Sequence, residues 1–421
     1  MAKFIQGKPL SFVFLFFFLT SFHVYPLARD GYPANLSHIF LVAGASAGVL
    51  LLISMLISSP KSGILIPIPQ HPLYTATLAQ YQGVAVPYHL DESSDWSTSV
   101  SSIETAIESA HRDGILLRAL VIINPGNPTG ALLDEQTQVR LVELCEKHSL
   151  VLLADEVYQN NPHKRTDHPF TSFKRVVADA QSPVPLVSFH STSKGINGEC
   201  GKRGGYFECY NISEDIIAVL YKMVSVQSAS VSGMVAVDSM VRPPQPGDES
   251  YELYKKETEA IHEALVNRTG TIARRLNALP GVSCVDSPGA MYLYPKVKLP
   301  DGVVEAARKV GKEPDVFYAS VLLDKTGICI VPGSGFGQKE GEWHFRLTCL
   351  YPGVEEYVDK LESFHREFVE KYGISVHEAN GTHANGHEEW RGKVREISVG
   401  LRDSGRGIVG TLLAMLSKIK L

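Results

Sequence analysis

The residues with the clearest chemical potential form one short run, Ser191-Thr192-Ser193-Lys194-Gly195, followed by Arg203-Gly204-Gly205. An apolar run (Val184, Pro185, Leu186, Val187, Phe189) precedes it and reads as a buried strand, after which glycines punctuate a turn. A lysine fixed at a strand end among small hydroxyls and an arginine is poorly placed for a solvated surface lysine. It is well placed to form an imine with an aldehyde cofactor, with Ser191, Ser193 and Arg203 holding that cofactor's phosphate. Taken alone, the string also fits the S-x-x-K opening of a penicillin-binding-type serine site, so the surrounding elements must decide.

Those elements alternate. A short strand from Ile39 to Val42 enters Gly44-Ala45-Ser46-Ala47-Gly48, and an apolar helical stretch runs from Val49 to Ile57. Strand, glycine turn and helix together aim backbone N–H groups and a positive helix end at an anion. The same letters match G-x-S-x-G, the nucleophile elbow of a serine hydrolase, with Asp155 and His190 as the acid and base that such a reading requires. Further strands follow at Gly63 to Pro69, Leu116 to Ile123 and Leu150 to Ala154. The last two end in Asn124-Pro125-Gly126-Asn127-Pro128-Thr129-Gly130 and in Asp155-Glu156-Val157-Tyr158. Polar residues gathered at strand C-termini predict an α/β fold: a mostly parallel sheet covered on both faces, with the site at its carboxyl edge. After Arg203 the sheet pattern fades. Asp248 to Leu279 reads as a long helix bridging to a second, smaller α+β domain that contains Gly289-Ala290-Met291-Tyr292-Leu293-Tyr294 and Trp343-His344-Phe345-Arg346-Leu347-Thr348. A closing helix is predicted from about Val354 to Tyr372.

The 421 residues are 44% hydrophobic and 20% charged, an ordinary globular composition long enough for two or three domains. A net charge of −5 lacks the basic footprint of a nucleic-acid partner. The six cysteines are scattered without a C-x-x-C pair, which suits a reducing compartment and argues against a metal centre. Cys200, close to Lys194, is expected to be a buried structural thiol. Four N-x-S/T triplets begin at Asn35, Asn211, Asn267 and Asn380 and carry weight only in a secreted chain. Near the N-terminus, Lys3 and Lys8 precede an apolar block, Phe12 to Leu19, too short to span a bilayer but shaped like a signal-peptide core, with Ala28 as a cleavage position.

Taken in order, IPIPQHPLYTATLAQ, INPGNPTG, LLADEVYQ, SFHSTSKGINGECGKRGGY, GAMYLYP and VPGSGFGQ…WHFRLT resemble the fold-type I pyridoxal-phosphate enzymes, and among them the alanine aminotransferase family, over roughly Ala28 to Tyr372. The resemblance implies pyridoxal 5′-phosphate as cofactor and Lys194 as the Schiff-base lysine and proton shuttle. It implies Asp155 at the pyridinium nitrogen, Asn127 and Tyr158 at the 3′ oxygen, and Ala45, Ser46, Ser191, Ser193 and Arg203 around the phosphate. Arg346, with Asn127, would grip the substrate α-carboxylate. His71 stands where relatives carry an aromatic ring, usually tyrosine, stacked on the cofactor, so weaker retention is expected, with Tyr74 one helical turn on as a further aid. Also implied are amino acid and 2-oxo acid substrates, a homodimer, and a cytoplasmic or mitochondrial location, with a membrane or nucleic-acid partner not expected. The expected divisions are an atypical hydrophobic segment (1–27), a large cofactor domain (28–260), a small domain (261–373) and a loose tail (374–421). Relatives place a substrate-covering segment before the stretch that begins at Ala28. Its lack here reads as a gene-model artefact or truncation, with a signal peptide or anchor as the other readings. The expected activity is L-alanine with 2-oxoglutarate to pyruvate and L-glutamate by a ping-pong exchange. The alternative is an impaired paralogue that binds cofactor, or pairs with an intact subunit, without turnover. Sibling aminotransferases or a cyclopropane-carboxylate synthase would use the same cofactor set.

Overall fold

The structure, a computed structural model, describes residues 27–163 and 169–373. The phenylalanine-rich block, the Asn380 triplet, the tail from 374 and the apolar stretch Ile408 to Ile419 lie outside the described residues.

A seven-stranded sheet dominates the first part of the chain. Its strands are β1 (Ile39–Val42), β2 (Ser62–Ile68), β3 (Val84–His89), β4 (Leu116–Ile123), β5 (Val151–Asp155), β6 (Leu186–Ser191) and β7 (Gly205–Tyr210), in the order β1-β7-β6-β5-β4-β2-β3. The strands β3, β2, β4, β5 and β6 are mutually parallel, while β7 runs antiparallel to both β6 and β1.

Both faces of this sheet are covered, which is why its central strands read as continuous apolar runs rather than alternating ones. Ile64, Ile66, Val121, Leu153, Phe189 and Phe207 face a core shared with the helix Ala45–Leu56. Their neighbours Leu65, Leu120, Ile122, Leu152 and Ala154 face the opposite core, beneath the helices Val100–Arg112, Glu135–Lys147 and Phe173–Asp179. Alternate residues thus belong to opposite cores, and burying one such side chain contributes roughly 1.5–3 kcal/mol.

The fading of the sheet pattern after Arg203 is corrected by β7. That strand is a short antiparallel filler carrying Glu208, whose carboxylate is buried against Lys174 at 2.5 Å, so its charge is paired inside the protein. An ion pair contributed by a distant helix cannot be read from the strand itself. Gly205 opens this strand because a Cβ there would lie 2.7 Å from the Ala45 nitrogen, so β7 can pass directly beneath the start of the helix Ala45–Leu56.

The helix Tyr251–Asn277 runs continuously through residue 260, and its buried side chains begin at Leu265. From there Leu265, Ile272 and Leu276 join Phe317, Tyr318, Leu347, Phe364 and Phe368 in a separate core. Five short strands complete that part: β8 (Val282–Ser283) with β10 (Lys296–Val297), and β9 (Tyr292–Leu293) with β11 (Val331–Pro332) on either side of β12 (Phe345–Thr348). The helix Val354–Gly373 closes it. No helix among the described residues is long and apolar enough to cross a membrane.

Candidate active site

The expected residues converge beyond the carboxyl ends of β4, β5 and β6, with the second core's strands facing them. Asp155 is the last residue of β5 and is buried. Its Oδ2 accepts a hydrogen bond from the Tyr74 hydroxyl at 2.9 Å. Its Oδ1, equally buried, accepts no hydrogen bond of ordinary geometry among the described residues. Burial pushes this carboxyl up to about 6, against the lowering effects of the Tyr74 hydroxyl, the Val157 N–H and the Lys194 charge. A buried carboxylate with one open oxygen is the acceptor that a protonated ring nitrogen needs.

Lys194 sits in the turn after β6. Its Nζ donates to the Tyr292 hydroxyl at 3.0 Å and lies 5.5 Å from the centre of the Tyr158 ring. Gly195 takes φ +68°, a conformation that costs glycine little, and its N–H donates to Asn161 Oδ1 at 3.1 Å. That bond holds the turn, and with it the start of the lysine stem.

An anion cradle lies alongside. The helix Ala45–Leu56 begins after Gly44, which offers no capping side chain. The N–H groups of Ala45 and Ser46 therefore stand at a positive helix end, with Ser46 exposed. Arg203 reaches across to donate to the carbonyls of Ala43 and Cys200, each at 3.0 Å, and forms no ion pair with a carboxylate among the described residues. Ser191 is buried, with its Oγ accepting the Ser193 N–H at 3.0 Å. These donors match a phosphate monoester. Lys202 is exposed beside them.

On the facing side, Arg346 on β12 donates to Asn127 Oδ1 at 2.8 Å. Its guanidinium carbon sits 4.2 Å from the centre of the Tyr292 ring and 4.9 Å from that of Phe336. A flat guanidinium held between rings, with no carboxylate partner among the described residues, is prepared for a bidentate carboxylate.

His71 lies at the exposed rim. Its Nδ1 accepts the Leu73 N–H at 3.1 Å, at the first residue of the short helix Leu73–Gln80. Loss of water around the ring, then the Lys194 and Arg346 cations, push its imidazole down to about 4, which keeps it neutral.

Two expectations are corrected. Cys200 is exposed, with its Sγ directed at the Ser193 carbonyl at 3.0 Å, because the turn that carries it lies outside the sheet. The serine-hydrolase constellation does not assemble. Asp155 pairs with Phe189 and faces the core shared with the helix Ala45–Leu56, whereas His190, one residue on from Phe189, projects from the other face. There it is buried edge-on to Tyr206 at 5.8 Å, and burial and Arg29 push it down to about 3.

Three residues near the chemistry have no role, or a different one, in the sequence reading. Tyr292 and Phe336 lie within motifs that point to the site, but only their packing on Arg346 reveals what they do. Tyr74, expected as a further aid to cofactor retention, hydrogen-bonds Asp155. The one group of three possible metal ligands among the described residues, Glu92, Glu342 and His344, already holds a cation: Lys296 Nζ is 3.3 Å from Glu92 and 2.9 Å from Glu342.

Comparison with known proteins gives a consistent picture. The family profile described as aminotransferase class I and II matches residues 28–361. The chain is 47% identical over 350 residues to a protein named probable alanine aminotransferase, mitochondrial, of Dictyostelium discoideum, covering 82% of this chain and 66% of that one. It is 46% identical over 351 residues to alanine aminotransferase 2, mitochondrial, of Arabidopsis thaliana, covering 82% and 65%. The chain thus spans about two thirds of the length of these relatives. Among solved structures, alanine aminotransferase from Pyrococcus furiosus superposes with a TM-score of 0.69 at 23% identity, covering 83% of this chain and 82% of that one, a likeness of fold.

Proposed function

Since the chain belongs to the class I and II aminotransferase family, within it to the alanine aminotransferases, we propose that it transfers the amino group of L-alanine to 2-oxoglutarate. The products are pyruvate and L-glutamate, formed in two successive half-reactions at one site. The observation that carries this reading is the set of groups gathered at the site of Lys194: the Oδ1 of Asp155 without a hydrogen-bond partner, and the guanidinium groups of Arg203 and Arg346, each without a carboxylate partner among the described residues.

These residues fit pyridoxal 5′-phosphate. Lys194 would hold its aldehyde carbon, Asp155 its ring nitrogen, Asn127 and Tyr158 its ring hydroxyl, and His71 its face. Ala45, Ser46, Ser191, Ser193 and Arg203 would hold its phosphate. When bound, the cofactor supplies an electron sink that lets the Cα–H bond of an amino acid ionise. The chain supplies the rest. Arg346 grips the α-carboxylate, and its hydrogen bond to Asn127 fixes the plane in which the substrate lies. Lys194 Nζ carries the proton to and from Cα. Asp155 would stabilise positive charge at the ring nitrogen. The same carboxylate grip serves the 2-oxo acid in the return half-reaction.

A second copy of the chain is the proposed partner. The helices Glu214–Val226 and Val231–Val241 leave Ile216, Val219, Tyr221, Val226, Val231 and Val235 exposed, with Val226 84% accessible, and exposed apolar side chains gathered on two consecutive helices suit a protein–protein contact. Sedimentation as a monomer at micromolar concentration would refute it. Cytoplasm or mitochondrion is the inferred location; several relatives carry 'mitochondrial' in their names. No contact in the site favours a cofactor-binding subunit without turnover.

The test is to incubate the purified full chain with pyridoxal phosphate, reduce with borohydride and map the adduct by mass spectrometry. Alanine-dependent pyruvate release is measured in parallel. A label on Lys194 together with turnover supports the proposal; a wild-type chain that takes no label at Lys194 refutes it.

A further inference from the structure

We infer that Tyr292 is a positioning residue that couples the carboxylate grip to the proton-moving amine: its ring seats Arg346 while its hydroxyl holds Lys194 Nζ. The inference rests on the transaminase reading above.

Strand geometry puts Tyr292 there. Along β12, Arg346 and Thr348 are two residues apart and so project from the same face. Thr348 pairs with Tyr292 of β9 in antiparallel register, which makes Tyr292 the diagonal neighbour of Arg346 on that face. The result is a ring centre 4.2 Å from the Arg346 guanidinium carbon, within the range of a cation–π contact. From the same ring the hydroxyl extends toward the large domain and meets Lys194 Nζ at 3.0 Å. Tyr158 packs edge-on against this ring, with centres 5.9 Å apart, and limits its rotation. One rigid side chain therefore spans the two charged groups that must act on a single substrate, one from each domain. Tyr292 is buried, so water does not compete strongly for its hydroxyl.

The electrostatics agree with the geometry. Burial pushes the Tyr292 phenol up, but the Lys194 charge and hydrogen bond and the Arg346 charge together outweigh it and leave the phenol below its usual range. A phenol so biased accepts from the lysine. Groups facing it are Lys194, Arg346, the Tyr158 hydroxyl and, through the shared site, Asp155.

Two substitutions separate the two duties. Tyr292→Phe keeps the platform and removes the anchor, whereas Tyr292→Leu removes both. For Tyr292→Phe we expect kcat to fall about tenfold, the worth of one hydrogen bond to a charged group, with the KM for L-alanine within about twofold. Tyr292→Leu is expected to add a rise in KM of about tenfold through loss of the cation–π seat. A readout independent of turnover is ultraviolet difference titration of the full chain without added cofactor. Wild type should show one tyrosine ionising below the rest, absent in Tyr292→Phe and shifted upward in Lys194→Met. If Tyr292→Phe leaves kcat unchanged, or the early-ionising tyrosine survives in that variant, the coupling is overturned. A titration that behaves as described in a wild-type chain without transaminase activity would overturn the proposed function while leaving the Tyr292–Lys194 contact established.

Discussion

Replacing Asp155 by asparagine tests the electrostatic centre of the site in the cofactor-free protein. In the folded chain, burial raises the Asp155 carboxyl from an ordinary 3.8 to about 6. The folded state therefore binds this proton more tightly than the unfolded chain does. The resulting stabilisation is fully present below about pH 3.8 and is lost as pH rises through about 6. A shift of roughly two units is worth a few kcal/mol, and about 1 kcal/mol of it falls between pH 5 and pH 8. The substituted asparagine carries no such proton. The unfolding free energy of Asp155→Asn relative to wild type should thus move by about 1 kcal/mol in the variant's favour on going from pH 5 to pH 8. Urea unfolding of both proteins at equal concentration measures it. Glu156, pushed up to about 7 by burial, titrates in both chains and cancels in the difference. Added pyridoxal phosphate should raise the wild-type midpoint more than the variant's, since only the carboxylate can pair with a protonated ring nitrogen. A relative stability that is the same at both pH values would show that Asp155 is not held as a buried, half-satisfied acid, and the account of its open Oδ1 would fail.

Gly205→Ala would put a Cβ 2.7 Å from the Ala45 nitrogen and 2.8 Å from the Gly44 carbonyl carbon, both backbone atoms that cannot swing aside. It should cost about 1–3 kcal/mol of stability and weaken pyridoxal-phosphate binding together; unchanged values in urea unfolding and cofactor titration would contradict the close approach. Arg346→Lys removes the planar fork stacked on Tyr292 and Phe336, and the KM for L-alanine should rise roughly 100-fold, with the cofactor site unaffected by absorbance. A rise in KM below about threefold would mean that Arg346 is not the carboxylate grip. His71→Tyr restores a larger stacking ring and should tighten cofactor binding about two- to tenfold despite losing the hydrogen bond from the Leu73 N–H, as read by fluorescence titration. Equal or weaker binding would remove His71 from the cofactor's face.

Much of the site was legible in the chain because an α/β sheet places its chemistry in short turns just after strands. Asn127, Asp155, Ser191 and Lys194 each follow an apolar run, and the sheet's parallel register brings those ends side by side. Strand alternation also decides against the hydrolase alternative, since His190 and Asp155 project from opposite faces. What the chain could not show depends on which distant surfaces meet. The strand β7 was hidden because its charged Glu208 is neutralised by Lys174 from a helix far away in sequence. The exposure of Cys200 follows from a turn that the sheet does not cover.

Local patterns of residue type and spacing were enough to place the sheet's central strands, the lysine turn, the helix start after Gly44 and the arginine on its late strand. The bond from Tyr74 to Asp155, the seating of Arg346 by Phe336 and Tyr292, and the reach of the Tyr292 hydroxyl to Lys194 appear only in the folded chain. Those contacts join residues of different strands, loops and domains. Their existence depends on packing and register across the interface, which no local pattern encodes.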